Sequence, residues 1–176
     1  MNPQNSSVRK IVMASMLATL TFVATRVIQI PLIGSGYVHL GDCFVLLSGW
    51  LMGPFYGAAA AGIGSMLADL LSPYAIYGPA TLVIKALSAM LAAVTVAPFG
   101  RLFGRSDALA RIASGISGGI VVPLGYFIFE LWIFGFGVAI IDMPGIALKE
   151  VFGIVCAMLV FYALRKTKLI DRYFGG

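Results

Sequence analysis

The sequence predicts an all-α membrane protein of six transmembrane helices with both termini cytoplasmic. Three observations carry that prediction. The chain is 60% hydrophobic and only 11% charged, whereas an average soluble domain has about 25% charged residues. Its apolar residues fall in runs long enough to cross a bilayer, which takes roughly 20 residues of helix. The cations between those runs gather on one side. With 176 residues there is room for a single membrane domain, residues 1–176, and no separate soluble one.

The first span is expected over residues 8–30, behind a short polar start carrying Arg9 and Lys10. That apolar run reads as a retained helix and not as a cleaved signal. Gly34, Ser35 and Gly36 open a loop. Apolar sequence resumes near Leu40 and continues to Leu71, too long for one crossing. Gly53-Pro54 divides it, because proline ends one helix and can begin the next. The second span is therefore read over 41–52 and the third over 55–71, with Ser72-Pro73 as its stop. The fourth covers 79–97 and closes at Pro98 and Gly100. The fifth covers 109–134 and breaks at Gly135 and Gly137. The sixth covers 144–164.

Charge placement tests the count. With six spans, Arg9, Lys10, Arg101, Arg105, Arg111, Arg165, Lys166, Lys168 and Arg172 all fall on one side. The positive-inside rule makes that side cytoplasmic. Fusing the second and third spans would place Arg9 and Arg101 on opposite sides.

With this orientation Asp69, Lys85, Glu130 and Lys149 fall near the outer face at one shallow depth. A charge in hydrocarbon costs roughly 2.5–3.5 kcal/mol on insertion scales. Four at one level must pair or meet a polar ligand. The candidate binding residues are these four, with His39 from the first outer loop, and with Tyr74, Tyr77 and Trp132 to stack on a planar ring. Tyr37 and Asp142 add polar groups from the outer loops. A plainer reading stands beside this one. Tyr and Trp at this level also form the interfacial belt, and charges near helix ends snorkel into water. Glu150 adjoins Lys149 and projects about 100° away on a helix, so only one of the two is expected to face the site.

Other chemistries are excluded by what is missing. A single histidine cannot supply an intramembrane metalloprotease cluster. Ser48 and Ser65 lie in apolar stretches without a base. Cys43 and Cys156 have no ligand spacing, so no disulfide, metal or cofactor is expected. No nucleotide-binding loop is present, and any ATP must be used by another chain. The chain is expected to be no enzyme and to bind no nucleic acid. Ala14 and Ala18 in the first span, and Ala60, Gly64 and Ala68 in the third, form small-xxx-small patterns that let helices approach closely in lipid.

Several segments then carry a resemblance: Ala14-x-x-x-Ala18, Gly36-Tyr37-Val38-His39-Leu40-Gly41-Asp42, Gly53-Pro54-Phe55-Tyr56-Gly57, Ala68-Asp69-Leu70-Leu71, and Tyr77-Gly78-Pro79-Ala80-Thr81 ahead of Lys85. Over essentially its whole length the chain resembles the S components of energy-coupling factor (ECF) vitamin transporters. It looks closest to the riboflavin-like branch with its vitamin B6 and hydroxymethylpyrimidine carriers. The resemblance implies a subunit of a bacterial cell membrane that binds a vitamin from outside with high affinity. It implies docking through Ala14 and Ala18 onto a membrane T component coupled to two cytoplasmic ATPases, then toppling in the bilayer to release the vitamin inside. A cation–anion set with aromatics suits a small hydroxylated pyridine or pyrimidine better than a flavin. The alternatives are a riboflavin-binding S component and a stand-alone secondary transporter. The latter would be favoured by inverted repeats, and none is evident between residues 1–88 and 89–176.

Overall fold

Backbone N–H and C=O groups in lipid must find partners within their own segment, which leaves the helix as the spanning form for such runs. The computed structural model, which describes residues 3–27, 29–31, 37–104, 106–167 and 170, is built accordingly. Helices α1 (Pro3–Val27), α2 (Gly41–Leu70), α3 (Gly78–Leu102), α4 (Asp107–Ile133) and α5 (Phe136–Lys166) account for most of it. By length and composition all five are able to cross a membrane. Two short strands, β1 (Gln29–Pro31) and β2 (Tyr37–His39), pair antiparallel between α1 and α2, with Ile30 opposite Val38. The all-α expectation missed this hairpin, and residue 30, assigned to the first span, lies in it. The loop glycines Gly34 and Gly36, and the cations Arg105, Lys168 and Arg172, lie outside the described residues.

Helix α2 is divided in two. Gly53 has φ 76° and ψ −175°, a left-handed backbone that glycine alone adopts without steric penalty, and Pro54 starts the second arm. In a straight helix Ser48 and Gly57 would stand about 13 Å apart along the axis. Here a Cβ on Gly57 would lie 2.4 Å from the Ser48 carbonyl oxygen and 2.8 Å from the Gly49 Cα. The arms, 41–52 and 54–70, therefore fold back against each other at the Gly-Pro step.

Contacts give each segment a direction. Along the first arm Asp42 meets Lys85 and Gly49 packs on Ala89, so this arm runs parallel to α3. Along the second arm Gly62 packs on Leu82 and Asp69 meets Thr81, so this arm runs the opposite way. Helix α4 opposes α3, with Gly118 against Ser88 and Glu130 against Tyr77. Helix α5 returns from Glu150 near Lys85 to Arg165 near Asp107. Helix α1 packs Ala18 on Gly64 and Thr25 on Gly41. Successive segments thus alternate in direction, and the start of α1 shares one end of the bundle with the end of α5.

Two helix limits differ from expectation. Helix α5 begins at Phe136, directly after Gly135 at φ 87°, and not at Pro144. One left-handed glycine suffices for the turn. Pro144 removes a single N–H from a 31-residue helix, which continues through it and places Asp142 on the helix. Helix α3 likewise runs through Pro98 to Leu102. Cys43, Leu46, Leu47, Ala92, Ala157 and Phe161 form the main apolar core. Met16, Phe55, Ile128 and Leu159 point outward, as lipid-facing residues do.

Candidate functional site

Three buried polar groups meet at the end of the bundle where the first arm of α2 begins. The first centres on Lys85 of α3. Its Nζ donates to Asp42 Oδ1, from the opening turn of α2, and to Glu150 Oε1, from the middle of α5, at 3.1 Å. All three residues are at most 5% exposed. Lys149 Nζ lies 3.7 Å from Asp42 Oδ2. Two carboxylates and two ammoniums thus form a neutral network joining α2, α3 and α5. Such networks hold only when geometry and hydrogen bonding offset the desolvation of each charge.

The second group is a relay. Thr81 Oγ1 donates to Asp69 Oδ2, which leaves the Tyr126 hydroxyl to donate to Thr81 Oγ1, 2.7 Å away. The ammoniums of Lys85 and Lys149 both stand 5.7 Å from the Tyr126 ring centroid, within cation–π range.

The third group is Glu130 with Tyr77. The Tyr77 hydroxyl donates to Glu130 Oε1 at 3.2 Å. Glu130 Oε2 is buried and has no hydrogen-bond partner among the described residues. The Tyr77 ring lies 5.2 Å from Phe129, 5.9 Å from Phe134 in stacked geometry, 6.1 Å from Tyr126 and 6.3 Å from Tyr74.

His39 borders the first group. Its Nδ1 accepts the Gly41 N–H at 3.0 Å. Burial pushes its pKa down to about 3, the Asp42 carboxylate opposing that shift and the two lysines adding to it. The ring is therefore neutral, with its proton on Nε2.

The eight expected binding residues are distributed unequally over this geometry. Lys85 and Lys149 meet through Asp42, with His39 alongside. Asp69 joins them through Thr81 and Tyr126. Glu130 and Tyr77 bond each other, and Tyr74, 38% exposed, forms the rim. Trp132 is 84% exposed and takes no part. Helical phase explains this, since Tyr126 and Glu130 are four residues apart on the buried face while Trp132 lies a further 200° round. The expectation that only one of Lys149 and Glu150 faces the site is corrected: Glu150 points in to Lys85, and the long Lys149 stem swings its ammonium to the Asp42 carboxylate. Asp42, Thr81 and Tyr126 were not among the expected residues. Asp42 reads in sequence as an ordinary helix N-terminal acid, and the other two carry no charge. The one signal for Asp42 was its place in an otherwise apolar run.

At the opposite end Asp107 accepts hydrogen bonds from Tyr162 at 3.0 Å and Arg165 at 2.8 Å and pairs with Arg111, whose guanidinium lies 3.5 Å from the Phe161 ring centroid. This ties α4 to α5. Ala14 and Ala18 are half-buried along α1, and the Ala18 carbonyl faces Gly64.

Long apolar helices around a buried ion network, placed at one end, define a polytopic integral membrane protein with a polar site inside the bundle. Residues 5–166 match the family model described as the S component of the ECF-type riboflavin transporter. The chain belongs to this family of ECF transporter S components. It is 32% identical over 146 residues to an uncharacterized protein of Pyrococcus woesei, a match covering 82% of this chain and 93% of that one. A solved S component for biotin from an ECF-type ABC transporter aligns over 99% of both chains with 18% identity and a TM-score of 0.49. The family is one of transporter substrate-binding components and not of enzymes, and it implies an ECF module and a small-molecule vitamin as partners.

Proposed function

We propose that this chain is the high-affinity binding subunit of an ATP-driven ECF uptake transporter, taking a small ring vitamin or precursor such as vitamin B6 or hydroxymethylpyrimidine from the outer face. The observation that carries the reading is the convergence of buried charges and tyrosines from α2, α3, α4 and α5 at one end of the bundle. In this reading the two arms of α2 cross separately, giving six crossings. The end with Arg101, Arg111 and Arg165 faces the cytoplasm, and the polar layer opens outward. A membrane T component with two ATPases docks on the Ala14 and Ala18 edge of α1. The family match supports a second reading, a riboflavin-binding subunit.

Mass spectrometry of small molecules co-purifying from rich medium tests the substrate. A pyridine or pyrimidine vitamin is the expected result, and riboflavin selects the second reading. Uptake into proteoliposomes is expected only with the ATPase module, and vitamin uptake by the isolated chain would overturn the reading. Ala14→Trp or Ala18→Trp is expected to abolish uptake while binding to the isolated subunit persists, because a bulky side chain holds a partner helix away. Normal uptake by both variants would remove this edge as the docking surface.

A further inference from the structure

The network around Lys85 is neutral within itself, but the carboxylate beside it is not. Glu130 is 3% exposed, receives one hydrogen bond from Tyr77 on Oε1, and has Oε2 buried without a partner among the described residues. Among the described residues no Lys, Arg or His makes an ion pair with it; the cations at this end, Lys85 and Lys149, reach Asp42 and Glu150 instead.

The same imbalance holds for the whole layer. Five carboxylates, Asp42, Asp69, Glu130, Asp142 and Glu150, stand with two ammoniums, Lys85 and Lys149, and a neutral His39. Among the described residues the acidic side chains here outnumber the basic ones even when Arg26, half-buried at the end of α1, is counted. A carboxylate oxygen only accepts hydrogen bonds, and buried without a partner it carries its full desolvation penalty. An occupant that offers another acceptor or a negative charge would add repulsion. An occupant that offers a positive donor removes the penalty. The surroundings favour the same choice: Tyr77, which bonds the other oxygen of this carboxylate, stands among the rings of Phe129, Phe134 and Tyr126, and aromatic faces attract cations.

Resting on the outer-end binding reading above, we propose that Glu130 Oε2 anchors a positively charged nitrogen carried on or in an aromatic ring, so that among the small ring vitamins and precursors of that reading those bearing a positive nitrogen are preferred to neutral or anionic ones. Tyr77 holds the carboxylate in place through Oε1 and offers its ring to the ligand. The lysines balance Asp42 and Glu150 and keep those acids from competing for the ligand's charge.

The test uses the full chain, freed of ligand, in lipid nanodiscs at neutral pH. The probes are thiamine (a permanent ring cation), pyridoxamine (a ring-borne ammonium), pyridoxine and riboflavin (neutral), and biotin (an anion). Calorimetric titration is expected to show thiamine or pyridoxamine binding at least about tenfold more tightly than any neutral or anionic probe. E130Q is expected to weaken the preferred cation by more than about tenfold while the apo melting temperature stays the same or rises, since an unpaired buried charge is gone. Tighter binding of pyridoxine, riboflavin or biotin overturns the cation assignment and leaves the transporter reading in place. Unchanged cation affinity in a folded E130Q also overturns the anchor. Binding of none of the five, with no vitamin co-purifying, overturns both.

Discussion

Lys85 and Glu130 lie at the same end of the bundle, are both almost wholly buried, and were both expected to hold ligand. Their surroundings are opposite. Lys85 is met by two carboxylates from two other helices. Glu130 is met by one phenol, itself set among apolar rings, and among the described residues one of its acceptors is left over. A buried charge that the fold already satisfies acts as a tie between helices. One that the fold leaves unsatisfied is open to a ligand. The comparison moves Lys85 from the binding role towards the structural one and leaves Glu130 as the stronger binding candidate.

The largest effect is expected at Lys85. Lys85→Met leaves Asp42 and Glu150 facing each other without their shared cation, and breaking a buried pair in this way costs about 3–5 kcal/mol. Apo unfolding by heat or denaturant should show that loss. Wild-type stability together with lost ligand affinity would instead return Lys85 to the ligand and erase the contrast. At Glu130 the opposite pattern is expected. Glu130→Ala should reduce affinity more than tenfold, about 1.4 kcal/mol, with a smaller change in apo stability. A large apo loss with unchanged affinity would make Glu130 a second tie.

His39 sharpens the comparison through pH. Its folded pKa of about 3 lies below the ordinary value of 6.5, so the unfolded chain binds a proton that the folded chain refuses. Stability is complete above about pH 6.5 and falls as pH drops toward 3, by at most about 1.4 kcal/mol per pH unit from this group. His39→Gln should flatten that part of the stability–pH curve. An identical curve in the variant would mean that the ring is not held neutral in the folded state. The smallest effect is expected at the other end, where the Arg165–Asp107 pair is half-exposed. Arg165→Ala should cost less than about 1 kcal/mol, and 0.5 M salt should remove most of the difference. A loss as large as that at Lys85 would show that exposure does not separate the two ends.

The membrane class, the helical segments and the break in α2 were legible in the residues alone. In lipid each stretch must satisfy its own backbone, so a span is a local property of about 20 residues, and Gly53-Pro54 is a local signal. The gathering of Lys85 and Glu130 toward one end of their helices followed from the same count, whereas Lys149, counted from Pro144 as lying close to a helix end, stands near the middle of α5. The short hairpin and the early start of α5 were not legible in the residues alone, because Gly135, Gly137 and Pro144 all read as helix breaks and only the backbone shows that the left-handed Gly135 makes the turn while the helix runs on through the other two. Which charge meets which could be decided only by the tertiary structure. Lys85 finds Asp42 across 43 residues and Glu150 across 65, through the rotation of three helices about their own axes. That rotation is set where glycines such as Gly49 and Gly153 let backbones and side chains come close. Depth is written in one helix at a time, whereas partnership depends on how the helices pack together.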